Sequence, residues 1–262
     1  IATPELRIED NSYVWDSVPL ANSYYLQIDG TKVSDNFEGQ SSYSYTPRFT
    51  EVKDHEVMLK AVGDGRGNLD SAFFVYKQKT AKLSAPVIKY GYSHDQFVAN
   101  GNITVTITTP SVNCTSYLYQ IAGQTISDLT SEELSYSREI KTPGKYTVGV
   151  KALGGKIDEN GVYYIDSELA GGDDAAITIL GSPTSFEMQA GGQISWKGVS
   201  NAKMGYYYQI SYDGGEYGEI KSTPGSSIDL GSDYKNHKTV KIKVWARGSS
   251  DGTLIAGAAN EW

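Results

Sequence analysis

The chain has 262 residues, 39% of them hydrophobic, with 20 tyrosines, three histidines, one cysteine and a formal net charge of −8. That length suits two or three compact modules, with enough apolar content to give each a core. The acidic balance argues against nucleic acid or an anionic membrane as partner, since both need a basic footprint, and no apolar run approaches the roughly 20 residues of a membrane span.

One short strand is written three times: Tyr24-Tyr25-Leu26-Gln27-Ile28-Asp29-Gly30, Tyr117-Leu118-Tyr119-Gln120-Ile121-Ala122-Gly123 and Tyr206-Tyr207-Tyr208-Gln209-Ile210-Ser211-Tyr212-Asp213-Gly214. Each copy alternates with period two and runs into a glycine turn, the pattern of a half-buried strand entering a hairpin. The three glutamines are 93 and 89 residues apart. A second landmark keeps step: Leu59-Lys60-Ala61-Val62-Gly63, Val150-Lys151-Ala152-Leu153-Gly154 and Val244-Trp245-Ala246-Arg247-Gly248, with alanines 91 and 94 residues apart. Two landmarks on one period of about 90 residues predict three modules.

Each module opens at a proline, Pro4, Pro86 or Pro183, a residue that lacks a ladder N–H and belongs at the start of a first strand. Boundaries near Thr80 and Gly181 give modules 1–80, 81–181 and 182–262. The connections are short and not of low complexity, which predicts a semi-rigid rod rather than beads on a flexible string. Modules one and three share Trp15-x-x-Val18-x-x-Ala21 and Trp196-x-x-Val199-x-x-Ala202. Module two has a Thr-rich second strand, Ile103-Thr104-Val105-Thr106-Ile107, and a longer insert before its final strand. No stretch carries a 3.6-residue apolar period, so helices are expected to be minor.

A tryptophan on the second strand, the Tyr-x-Leu/Tyr-x-Ile third strand and the sixth strand Tyr146-x-Val148-x-Val150-x-Ala152 resemble fibronectin type III or related immunoglobulin-like domains. The resemblance implies an all-β chain of three tandem antiparallel β-sandwiches. Module two looks more like the variant immunoglobulin-like modules appended to bacterial carbohydrate-active enzymes. It also implies that Trp15 and Trp196 are core residues and that Tyr146 holds the corner before its strand. His55 and Val240 occupy the matching slots, so no general corner is expected. Trp262 is expected to lie in the tail or to pack with the last strand.

Catalytic chemistry finds little footing. His55, His94 and His237 fall one to a module without Cys or acidic partners at metal-ligand spacing. No Gly-x-Ser-x-Gly elbow occurs, and Cys114, the lone cysteine, has no nearby histidine and allows no intrachain disulfide. The acidic loops Asp64-Gly65-Arg66-Gly67-Asn68-Leu69-Asp70, Asp158-Glu159-Asn160-Gly161 and Asp251-Gly252 lack the dense oxygen spacing of a calcium loop, and turn chemistry explains them. No catalytic residue, metal or cofactor is expected.

Alternation along Val240–Arg247 places Lys241, Lys243, Trp245 and Arg247 outward, opposite Tyr207 and Gln209 of the third strand. Trp245, Tyr207, Gln209, Arg247 and Lys243 therefore form the candidate ligand platform: an aromatic shelf with flanking hydrogen-bonding groups suits a sugar ring. Against it stands cover from a neighbouring module or a lysine stem. The expected protein is a non-catalytic extracellular module of a bacterial multidomain protein, secreted or attached to the cell surface. It would recognise a polysaccharide or surface glycan, or serve purely as a spacer, alongside other domains of a longer polypeptide.

Overall fold

A computed structural model describes residues 1–33, 37–94, 101–121, 124–130, 133–140, 142–250, 254–257 and 259–262, with residues 93, 94, 124–130 and 254 described by backbone alone. Module one contains β1 (Arg7–Glu9), β2 (Ser12–Asp16), β3 (Ser23–Ile28), β4 (Thr31–Lys32), β5 (Ser42–Tyr45), β6 (Asp54–Val62) and β7 (Phe74–Lys82). Module two contains β8 (Val87–His94), β9 (Gly101–Thr109), β10 (Ser116–Ile121), β11 (Gln124–Thr130), β12 (Ser135–Ile140), β13 (Gly144–Leu153), β14 (Lys156–Ile157), β15 (Val162–Ile165) and β16 (Ala170–Ile179). Module three contains β17 (Thr184–Met188), β18 (Gln193–Lys197), β19 (Tyr206–Tyr212), β20 (Lys221–Thr223), β21 (Ser227–Asp229), β22 (Val240–Ala246), β23 (Leu254–Ile255) and β24 (Asn260–Glu261). One short 3-10 turn, Asp233–Asn236, is the helical element among the described residues.

Every module is a two-sheet sandwich with three strands on one side, ordered β1-β2-β5, β8-β9-β12 and β17-β18-β21. The facing sheets share the inner order β4-β3-β6-β7, β11-β10-β13-β16 and β20-β19-β22-β24. The repeated strand is central in all three, paired to the second landmark strand in one register: Leu26 opposite Leu59, Tyr119 opposite Val150, Tyr208 opposite Val244. Alternation explains the cores. Tyr24, Leu26, Val57, Leu59 and Ala61 close on Trp15 in module one; Tyr206, Ile242, Val244 and Ala246 close on Trp196 in module three. Ile103, Val105 and Ile107 fill the place of the tryptophan in module two.

The first tyrosine of the repeated strand has a second task. Tyr24, Tyr117 and Tyr206 are buried, and each phenolic oxygen accepts the backbone N–H of a residue in the loop after the second strand. The donors are Val18, Ser111 at 3.1 Å and Val199 at 2.7 Å. An inward tyrosine thus satisfies a loop amide that the ladder cannot reach.

Two pairings depart from the expected antiparallel plan. β15, from the long insert of module two, runs parallel to β7 of module one, with Val162 opposite Lys79 and Ile165 opposite Lys82. β23 of module three runs parallel to β16 of module two, with Thr178 opposite Leu254 and Ile179 opposite Ile255. The first junction extends module one's larger sheet to six strands, β14-β15-β7-β6-β3-β4. β7 continues through Lys82, so Thr80 lies within module one's last strand, opposite Tyr163.

Candidate functional site

The outward face of module three brings the predicted platform residues together, with Trp245 buried and Tyr207, Gln209, Lys243 and Arg247 half-buried around it. Tyr207 stands opposite Trp245 and Gln209 opposite Lys243, as alternation requires. The two rings are 5.8 Å apart at 41°. Trp245, however, is only 4% exposed, which corrects the expected solvent-facing shelf. Tyr207 packs beside it, the Arg247 guanidinium lies over Tyr207 at 4.7 Å, and β24 pairs along the free edge of β22. Lys243 sits over the Tyr217 ring at 4.6 Å, and Gln209 donates to the Gly218 carbonyl at 2.9 Å. Burial, with the Glu261 carboxylate beside it, pushes the Tyr217 phenol up to about 12. The loop after β19 therefore engages two of the flanking groups, Gln209 through Gly218 and Lys243 through Tyr217. Trp262 follows β24, forms hydrogen bonds with Ile242 of β22 through both its backbone groups, and stacks on Phe186.

His55 and His237 serve the same structural device. After the repeated strand, Asp29 and Asp213 adopt positive φ of 50° and 52° at the hairpin turn. Asp29 accepts from the Glu56 N–H at 2.9 Å and lies 2.7 Å from His55 Nδ1. Asp213 accepts from Lys238 and Thr239 N–H and lies 2.9 Å from His237 Nδ1. Partial burial opposes ionisation of Asp29, but His55, the Glu56 amide and Lys53 outweigh it and hold the carboxyl at about 2. The Asp213 carboxyl is lowered chiefly by His237. The other ring nitrogen of His55 lies 3.2 Å from the Glu51 carbonyl, four residues upstream. Tyr146 donates to the Thr142 carbonyl, also four residues upstream. The histidine thus makes in module one a contact like the one Tyr146 makes in module two, with a different side chain in the same slot. The side chain of His94 lies outside the described residues, as do Ala122-Gly123 and Asp251-Gly252.

Turn chemistry accounts for the remaining acidic loops. Asp64 Oδ1 accepts from the N–H groups of Arg66, Gly67 and Asn68, and Asp158 Oδ1 from those of Asn160 and Val162. Backbone donors lower both carboxyls, led by Arg66 and Val162 respectively. Among the described residues, no group of three or more His, Cys, Asp or Glu side chains gathers as metal ligands would. Cys114 Sγ contacts the Ser111 carbonyl at 3.2 Å within its loop.

The feature that organises the molecule is the first junction. Ile157 and Tyr163 belong to module two in sequence yet are buried in the core of module one. The Tyr163 ring meets Phe49 edge-on at 5.0 Å. Asn11, at positive φ in the β1–β2 turn, accepts from the Ile157 N–H at 2.9 Å. Gln78 on β7 is fully buried: its Oε1 accepts from Tyr13, and its Nε2 donates to the carbonyls of Lys79 and Gly161. Lys82 and Glu168 close an ion pair across the boundary. Strand addition supplies the backbone bonds here, and side chains from both modules satisfy one another's buried polar groups.

Beside this junction lies a groove of about 760 Å³, walled by Thr46–Thr50 and Lys82 of module one and by Gln120, Lys151 and Asp166–Leu169 of module two. Its charges are largely committed: Lys151 pairs with Asp166 at 3.0 Å and Lys82 with Glu168. Sequence reasoning missed the junction. Its one signal was the extra length of the module-two insert, which says nothing about where that insert docks.

No family model and no curated protein matches the chain. Solved structures do: the FN1-FN3 domains of chicken CNTN1 are 18% identical, covering 100% of this chain and 98% of that one at a TM-score of 0.28. The central fibronectin-III array of RIM-binding protein is 14% identical, with coverage of 100% and 97% and a TM-score of 0.24. The fibronectin(III)-like modules of Clostridium thermocellum CbhA are 16% identical, with coverage of 62% and 83% and a TM-score of 0.28. The class rests on strand order rather than on these superpositions. Three successive sandwiches, each with three strands facing a larger sheet built on one inner order, are tandem fibronectin type III-like modules. No described helix is long and apolar enough to cross a membrane.

Proposed function

We propose that the chain is a non-catalytic spacer of a secreted or cell-surface protein, a semi-rigid rod that sets a fixed distance between whatever lies at its two ends. One observation carries this reading: each following module lends a strand to the last strand of the module before it, in the same parallel sense. A flexible linker leaves domains to reorient freely. A shared sheet with a buried glutamine across the boundary opposes that motion, because bending would expose unpaired polar groups.

Paired spin labels on module one and module three test the rod. Its prediction is a single narrow distance distribution, narrow also in dilute urea below the unfolding transition. A broad distribution, as expected of freely jointed modules, would remove the basis for a spacer of defined length.

A further inference from the structure

The hairpin of module one between β6 and β7 repeats the base of the module-two hairpin bond for bond. Lys60 pairs with Asp70 at 2.6 Å as Lys151 does with Asp166 at 3.0 Å. The Gly63 N–H donates to Asp70 Oδ1 as the Gly154 N–H does to Asp166 Oδ1. Ala61 and Ser71 exchange two bonds, N–H to Oγ and N–H to carbonyl, and Ala152 and Ser167 do the same. A Cβ on Gly63 would meet the Asn68 carbonyl oxygen at 1.9 Å, and one on Gly154 the Tyr164 carbonyl oxygen at 2.2 Å. These matches align Asn68 with Tyr164 and Leu69 with Ile165. In module three the Gly257 N–H bonds the Ala246 carbonyl, as Ser71 and Ser167 bond Ala61 and Ala152, which aligns Ile255 with the same position.

Ile165 and Ile255 pack against the core of the module before their own. Leu69 is 80% exposed. The partner strand has its own repeating mark. Leu83 and Leu180, three residues ahead of the buried prolines Pro86 and Pro183, donate their N–H to the carbonyls of Ile165 and Ile255, both at 3.1 Å. Leu83 is buried in the core of module two and Leu180 in that of module three. Ile1 stands three residues ahead of the buried Pro4 and packs against the core of module one in the same way.

We propose that the Asn68–Leu69 hairpin is a third docking edge, shaped for the last strand of another sandwich module placed ahead of Ile1. That strand would run parallel to Asn68–Leu69, its final residue opposite Leu69, and the Ile1 amide would donate to the Leu69 carbonyl. Leu69 would be covered by the incoming module's core side. The surface is thus one more junction of the same kind, and the inference rests on the junction reading above.

The test extends the full chain at Ile1 with a second copy of residues 81–179, which ends in the register seen at the second junction, and follows amide exchange by residue. The Ile1 amide is expected to exchange at least tenfold more slowly than an unprotected amide, and Leu69→Asp to abolish that protection. Leu69→Asp in the unextended chain should leave stability unchanged, because the site is at the surface. An unprotected Ile1 amide beside protected Leu83 and Leu180 overturns this inference alone. Loss of protection at all three overturns the junction reading with it. Where the added copy fails to fold, residues 1–82 serve as the donor, ending in the register of the first junction, with the same two outcomes.

Discussion

Gln78 of module one donates from Nε2 to the carbonyl of Gly161 in module two at 2.7 Å, from a position with no exposed surface. The same side chain accepts the Tyr13 hydroxyl at 3.0 Å. A core hydrogen bond of one sandwich is therefore completed by the next. Gln78→Ala leaves Tyr13 and Gly161 without these partners, and each buried orphan costs about 1–3 kcal/mol. We expect a loss of about 2–4 kcal/mol in the urea unfolding of module one, with the unfolding of module three unchanged.

Tyr163 supplies a second measure of the coupling. It lies in module two by sequence and is 4% exposed within module one's core. Truncating a buried aromatic costs about 3–5 kcal/mol. Tyr163→Ala should therefore lower the stability reported by the Trp15 indole resonance in module one. If only module-two resonances respond, the side chain does not belong to the first core.

The tyrosine-to-loop bond predicts matched effects in separate modules. Tyr206→Phe removes the acceptor for the Val199 N–H, and Tyr24→Phe the acceptor for that of Val18. Each should cost about 1 kcal/mol, the usual net worth of such a bond. Thermal unfolding of the two variants, read module by module, checks whether the penalties agree.

Acid should weaken the modules in a defined window. The Asp29 carboxyl is held at about 2, below the unfolded value near 4, so the folded state favours its ionised form. That stabilisation is complete above about pH 4 and is lost as pH falls toward 2, where the folded carboxyl also takes up a proton. Asp213, lowered chiefly by His237, acts in the same direction. Asp29→Asn should flatten the acid limb of module one's stability curve while leaving that of module three in place.

Much of the architecture was legible because alternation fixes which side chains share a face. Leu26, Tyr119 and Val244 point inward in the sequence pattern and are fully buried in the fold. Trp15 and Trp196 occupy the matched core places that their spacing implies. Trp245 shows where the argument stops. Alternation assigns it correctly to the outer face beside Tyr207, but a period of two does not say what covers that face. Nor could it say that Ile157 and Tyr163 leave their own module for another's core, because docking between modules is a long-range packing event with no local period. The recurrent glutamines make the same point. Gln27 reaches Met58, Gln209 reaches Gly218 and Gln120 lines the junction groove, three environments behind one motif.

The central claim is that neighbouring modules share a sheet, and the Leu83 and Leu180 amides report it directly through their bonds to the Ile165 and Ile255 carbonyls. Residue-resolved hydrogen exchange on the intact chain should show both protected to a degree comparable with strand amides of the module cores. Exchange of both at the rate of an open loop would contradict the account, and modules joined only by flexible linkers would be left.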